Sequence, residues 1–156
     1  MDFGAIARAI IGSNLYMVLG TADDEGRPWV SPVYFAPEAD TSFYWVSSPE
    51  ARHSRNLAVR SELSIVIFDS GAPISMGQAV YMSATAQEVA DIDEIGHGVA
   101  VFSGRSLAHG GKPWVPDDVR APATLRLYRA TVSEQWILEP GAPSDRRVAV
   151  RASPTP

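Results

Sequence analysis

The 156 residues, 46% of them hydrophobic and 20% charged, suit one domain with a sizeable buried core. A formal net charge of -5 argues against nucleic acid, whose phosphate backbone asks for a basic face. The chain has no cysteine, which excludes disulfides, thiolate catalysis and cysteine-bound metals, and no apolar run approaches the roughly 20 residues that span a bilayer.

The chain begins Met1-Asp2-Phe3-Gly4, without the basic stretch that opens a signal peptide, so the expected location is cytoplasmic. From Asp2 to Ile11, the residues Phe3, Ile6, Ala7 and Ile10 recur at three- and four-residue spacing, predicting a short amphipathic helix closed by Gly12. Tyr16 to Thr21 reads as a strand, and Asp23-Asp24-Glu25-Gly26 as the turn after it. Trp29 to Phe35 is a second strand with Pro32 inside it, which predicts an edge, a bulge or a close approach to the backbone. Ala36 to Thr41 reads as a turn, and Phe43 to Ser47 as a third, buried strand. Ser48 and Pro49 then lead into a short helix, with Pro49 in its first turn, where a missing N–H leaves nothing unpaired. Arg52, His53 and Arg55 cluster on that helix. A cationic knot at a strand–helix junction of an acidic chain is where a phosphate would be held.

Leu63 to Phe68 has too few polar positions to face water and reads as a fourth strand, followed by a loop from Asp69 to Gly77. Gln78 to Val89 is a long fifth strand alternating around Val80, Met82 and Ala84. Ile92 to Val101 reads as a helix with Asp91 as its N-cap. Ser103 to Thr124, rich in glycine and proline, reads as an irregular segment, the length at which a lid or a subunit contact is expected, with Trp114 as a lid aromatic. Leu125 to Leu138 supplies one or two closing strands. The expected fold is mainly β: a six- or seven-stranded antiparallel barrel with two or three short helices, one domain over residues 1–139 and a loose tail over 140–156.

Other chemistry finds little support. His97 and His109 lie twelve apart, a spacing that fits no metal motif, so no metal is expected. Gly110-Gly111-Lys112 lacks the remaining positions of a phosphate loop, and no serine stands at nucleophile-elbow spacing. Alone, Arg52 and Arg55 read as a solvated helix face, and Tyr34, Trp45 and Trp136 as core aromatics.

Five segments change that reading when taken together: the Thr21…Gly26-Arg27-Pro28 turn, the Ser31-Pro32-Val33-Tyr34-Phe35 strand, the Trp45-Val46-Ser47-Ser48 strand end, the Arg52-His53-Ser54-Arg55-Asn56-Leu57 helix and the Gln78-Ala79-Val80 strand start. In this order they resemble the flavin-binding split barrel of the pyridoxamine 5'-phosphate oxidase-like superfamily, from about Leu15 to Leu138. The resemblance implies a homodimer with FMN in each cleft between chains, and an oxidoreductase that moves hydride to or from a small organic substrate. It implies that the backbone of Pro32, Val33 and Tyr34 flanks the isoalloxazine, and that Val46 and Ser47 meet the ring and ribityl chain. Arg52 and His53 would hold the phosphate, with Arg55 and Asn56 in support. Gln78 would hydrogen-bond the ring, and Trp136 would reach the flavin from the partner subunit. His53 stands where many relatives have lysine, so this contact is expected to weaken as the imidazole deprotonates above its ordinary pKa of about 6.5.

The bare chemistry agrees: a phosphate suits an arginine fork, a flat ring suits an apolar slot, and the redox step belongs to the cofactor, so no catalytic residue is assigned. The sequence departs from true pyridoxamine 5'-phosphate oxidases at Ser31 and Ala36, where those enzymes carry arginine and lysine, and past Glu139, where their substrate-gripping motif is missing. Pyridoxamine phosphate is therefore not the expected substrate. Two alternatives stand beside FMN. A deazaflavin has a longer anionic tail that would call on Arg8, Arg27, Arg60 and Lys112. A non-catalytic flavin or haem protein would use His53, His97 or His109 as a haem ligand.

Overall fold

The computed structural model describes residues 1–151, in which alternation along eight antiparallel strands builds a sheet that curls into a split barrel. In chain order the elements are α1 (Phe3–Ser13), β1 (Tyr16–Ala22), β2 (Pro28–Tyr34), β3 (Ala36–Glu38), β4 (Ser42–Ser47), α2 (Arg52–Val59), β5 (Glu62–Phe68), β6 (Ala79–Glu88), α3 (Ile92–Ala108), a 3₁₀ turn (Pro116–Val119), β7 (Arg126–Leu138) and β8 (Arg147–Val150). Seven strands follow one path, β2-β1-β5-β6-β7-β4-β3, and β8 adds to β7. The hairpin between β1 and β2 turns on Gly26, whose φ of +81° is one that side-chain-bearing residues avoid. Asp23 closes that turn by accepting from the amides of Glu25 and Arg27 at 3.0 and 2.9 Å.

Alternating residues send their side chains to opposite faces, and here both faces are used. Phe43 and Trp45 of β4 point into the barrel with Met17, Leu19, Phe35, Ile67, Val80 and Ile137. Trp45 stacks on Tyr128 with ring centroids 5.6 Å apart and an interplanar angle of 13°. Helix α1 lays Ala7 and Ile11 on the same core. Tyr44 and Val46, the other face of β4, meet Ile95, Val99 and Phe102 of α3, Val119 of the 3₁₀ turn and Leu127 of β7 in a second core outside the barrel. Gly98 lets α3 sit that close, because a Cβ there would lie 2.7 Å from Tyr44 Cε1 and 2.8 Å from Leu127 Cδ2.

The structure differs from the sequence reading at four places. Helix α3 continues to Ala108, so the segment expected to be irregular from Ser103 begins as helix. The reason is tertiary: Phe102 and Ser106 extend the buried face begun by Ile95, Gly98 and Val99, and this outweighs the exposed Gly104. Ala36–Glu38 pairs with β4 as a strand instead of only turning the chain. The closing segment, expected as one or two strands, is the single strand β7, and the register of its pairing with β6 shifts between Ser83 and Ala84. Pro49 lies in the turn before α2, where the Ala51 amide donates to the Ser48 carbonyl at 3.1 Å, and α2 starts at Arg52. The tail expected to be loose forms β8, pairing Val148 with Ile137 and Val150 with Gln135; residues 152–156 of that tail lie outside the described residues. No helix among the described residues is long and apolar enough to cross a membrane.

Candidate functional site

Helix α2 is built unlike an ordinary surface helix. Its buried side carries His53, Ser54 and Asn56 beside Leu57, while Arg52 and Arg55 stay exposed. Its N-cap is Ala51, which offers no side-chain acceptor, and its first turn holds no acid. No N-cap side chain or first-turn acid therefore meets the amides of that turn or the positive end of the helix dipole.

The polar underside is tied into the sheet. His53 Nε2 and Ser47 Oγ, at the end of β4, share a 2.9 Å hydrogen bond. Asn56 Nδ2 donates to Thr21 Oγ1 at 3.0 Å, and that hydroxyl donates to the Trp29 carbonyl at 3.4 Å. Burial of these groups makes their pairing matter, since an orphaned buried donor costs more than a typical bond gains. Burial also holds the His53 imidazole below its ordinary pKa. At neutral pH His53 is then uncharged, so the positive charge of the knot rests on Arg52 and Arg55. The expected fading of a charged His53 contact above pH 6.5 is thereby displaced to lower pH.

Arg52 Cζ lies 4.3 Å from the centroid of the Trp29 ring, close enough for a cation–π contact. Among the described residues no carboxylate forms an ion pair with Arg52 or Arg55. The nearby cations are engaged. Arg27 binds Asp23 at 2.8 Å and Glu25 at 3.0 Å, and this partner holds the Asp23 carboxyl below its usual range. Arg60 donates to the carbonyls of Asp23 and Asp24 at 2.7 and 3.1 Å.

The remaining site residues sort by position. Strand β2 ends the sheet path and pairs only with β1, so Pro32 sits on a free edge, as a proline in a strand requires. Val33 is buried toward the barrel core. Tyr34 turns the other way, edge-on to Phe102, with its hydroxyl 2.9 Å from His109 Nδ1. Val46 packs on the second core, leaving Ser47 and the chain beyond it beside α2. Thus Ser47, Arg52, His53, Arg55 and Asn56 come together at one end of the sheet. Gln78 does not join them. It precedes β6, whose far end, Glu88, pairs with β7 near the start of α2's neighbourhood, so the ten residues of β6 set it roughly 30 Å away. Trp136 faces the outer side of the sheet and lines a cleft of about 620 Å³ with Val18, Val30, Val66, Tyr81 and Arg147. Trp114, expected as a lid aromatic, packs edge-on to Phe102 in the second core.

Two residues escaped the sequence reading. Trp29 was visible only as the first residue of a strand, and Thr21 only as the end of a strand entering a turn, yet one supports Arg52 and the other anchors Asn56. An aromatic three residues past the Gly26 turn was the available signal. The basic residues proposed for a longer cofactor tail are not gathered: Arg8 pairs with Asp40, Arg27 and Arg60 bind the β1–β2 turn, and Lys112 lies over Trp114. Each histidine is already hydrogen-bonded, His53 to Ser47, His97 to Glu38 and His109 to Tyr34, and no cluster of metal-binding side chains occurs among the described residues.

Comparison with known proteins places this geometry. Residues 5–137 match the family described as pyridoxamine 5'-phosphate oxidase. No curated protein matches the chain by sequence. Among solved structures, a heme binding protein from Mycobacterium smegmatis superposes with a TM-score of 0.73 at 21% identity, over 94% of this chain and 56% of that one. The heme storage protein HutZ from Vibrio cholerae gives 0.67 at 21% identity, over 85% and 92%. A FAD-binding protein from Mesorhizobium loti gives 0.62 at 18% identity, over 85% and 91%. At these identities the likeness is one of fold, and it is the split barrel.

Proposed function

The chain belongs to the pyridoxamine 5'-phosphate oxidase family, and on that premise we propose that it is an FMN-dependent oxidoreductase working on a small organic substrate as a homodimer. One observation carries the reading: the uncapped start of α2 presents Arg52 with no acid paired to it, beside free first-turn amides. A phosphomonoester completes both, through charge-assisted hydrogen bonds to the guanidinium and to the amides. Ser47 lies beside His53, and the free edge of β2 runs on from Trp29 to Pro32–Tyr34, along which the rest of the cofactor would lie. Bound FMN would supply the hydride-transferring ring; the chain's part is to hold its phosphate, orient it and exclude water.

Two further features support the proposal. The outer face of the sheet leaves Val30, Tyr16 and Phe68 exposed at 68, 59 and 46%, next to the cleft holding Tyr81 and Trp136. An apolar face of this kind suits a second copy of the chain. Gln78 and Trp136, set far from their own α2, would then serve the cofactor held by the partner subunit. FMN is favoured over a deazaflavin because Arg27 and Arg60 are occupied by the acidic turn and Arg8 and Lys112 lie elsewhere. Ser31 and the buried Ala36 favour a substrate other than pyridoxamine phosphate.

The test is an absorbance spectrum of the purified protein, then titration with FMN under light scattering. Flavin bands, or saturable uptake at micromolar concentration by a dimer, are expected. A Soret band, or no uptake of FMN, would overturn the reading.

A further inference from the structure

Trp29 belongs to neither buried core cluster. It is 40% exposed at the start of β2, and its recorded ring partner is the Arg52 guanidinium at 4.3 Å. Arg52 in turn has no ion-pair partner among the described residues, although the acidic turn Asp23-Asp24-Glu25 precedes Trp29 by only four residues and binds Arg27 and Arg60. A ring face holds a guanidinium by its flat side and leaves the in-plane N–H donors open. A carboxylate would instead occupy those donors. The ring contact therefore holds the Arg52 guanidinium in place without capturing its N–H donors as a carboxylate would.

The backbone reinforces this placement. The Trp29 carbonyl accepts from Thr21 Oγ1, and the same hydroxyl accepts from Asn56 on α2, so strand and helix are locked at the point where the stack forms. Position 29 is thus held against α2 by a buried polar link, independent of the indole itself.

Resting on the FMN reading above, we propose that Trp29 is a positioning residue that presents the Arg52 guanidinium to the cofactor's phosphate. It acts through Arg52 and makes no contact of its own with the phosphate. A preset fork loses less side-chain freedom on binding, so affinity for a phosphorylated ligand depends on the indole, and affinity for the unphosphorylated ring does not.

The experiment titrates the full chain, as wild type, Trp29→Ala, Trp29→Phe, Arg52→Ala and the Trp29→Ala/Arg52→Ala double variant, with FMN and with riboflavin. Trp29→Ala is expected to weaken FMN about 5- to 10-fold, the range of a partly exposed cation–π contact, and to leave riboflavin unchanged. Trp29→Phe recovers most of the loss, and the double variant binds FMN no worse than Arg52→Ala. Equal weakening of FMN and riboflavin, or full additivity in the double variant, would overturn the proposal. If the wild type takes up neither flavin, the cofactor reading fails, and calorimetry with inorganic phosphate decides the inference separately. Phosphate binding that needs Arg52 and weakens in Trp29→Ala supports it; phosphate binding indifferent to both, or none, overturns it.

Discussion

Helices α2 and α3 both lie against the sheet, and their N-termini are built in opposite ways. At α3, Asp91 accepts from the amides of Asp93 and Glu94, both at 3.0 Å, and those two acids occupy the first turn. Two of the terminal amides there are capped by a side chain of the chain itself, and an apolar face of Ile95, Val99 and Phe102 is buried beneath it. At α2 the cap is an alanine, the first turn carries no acid, and the buried face is histidine, serine and asparagine. One terminus is capped by the chain itself, and the other, which has no side-chain cap, is the one the proposed reading completes with a phosphate. The contrast teaches where to look for function in a chain without an obvious catalytic group: at the helix that its own sequence leaves unfinished.

Substitutions at the two helices should separate stability from binding. The largest effect is expected from Gly98→Val, which drives side-chain atoms into Tyr44 and Leu127; overpacking of this kind should cost about 3 kcal/mol, read as a lower urea midpoint with unchanged slope. FMN affinity of the folded fraction should not move. Arg52→Ala should do the reverse, weakening FMN about 30-fold, equivalent to about 2 kcal/mol, with the melting temperature of the flavin-free protein unmoved. A stable variant with wild-type affinity would mean the phosphate sits elsewhere. Capping offers a sharper pair. Asp91→Ala should cost about 1 kcal/mol of stability and nothing in binding, whereas Ala51→Asp should add up to about 1 kcal/mol and weaken FMN by repulsion. If Ala51→Asp bound FMN as well as wild type does, the start of α2 would not be the phosphate's seat.

The smallest effect concerns pH. The folded pKa of His53 lies below the unfolded value of about 6.5 because burial disfavours its charged form. Between those values the unfolded chain binds more protons, so stability is full above pH 6.5 and falls as pH drops toward the folded pKa. Denaturant melts of wild type and His53→Gln between pH 5 and 8 should show this slope shrink in the variant. FMN affinity should stay flat from pH 7 to 8, since Arg52 keeps its charge and His53 is already neutral.

Most strands were legible because alternation reports directly on a two-faced sheet: Phe43 and Trp45 against Tyr44 and Val46 is such a case, although both faces proved buried. The basic knot was also legible, since Arg52, His53 and Arg55 are neighbours in sequence. What stayed hidden depends on distant partners. Trp29 and Arg52 are joined only when α2 packs on the β1–β2 hairpin, and nothing local distinguishes His53, buried under Ser47, from the exposed Arg52 beside it. Helix α3 was read too short because Gly104 interrupts the local pattern, while Phe102 and Ser106 owe their burial to the sheet. Strand β8 follows a proline-rich stretch and owes its pairing to β7. The two-ended arrangement, with Gln78 far from Arg52, emerges only from the register of β6.

The most direct test of the account is a crystal structure of the protein with FMN bound. The predicted result places the phosphate within hydrogen-bond reach of the Arg52 guanidinium and the first amides of α2, with Trp29 still stacked behind the arginine. A phosphate held anywhere else, with the start of α2 empty, would contradict it.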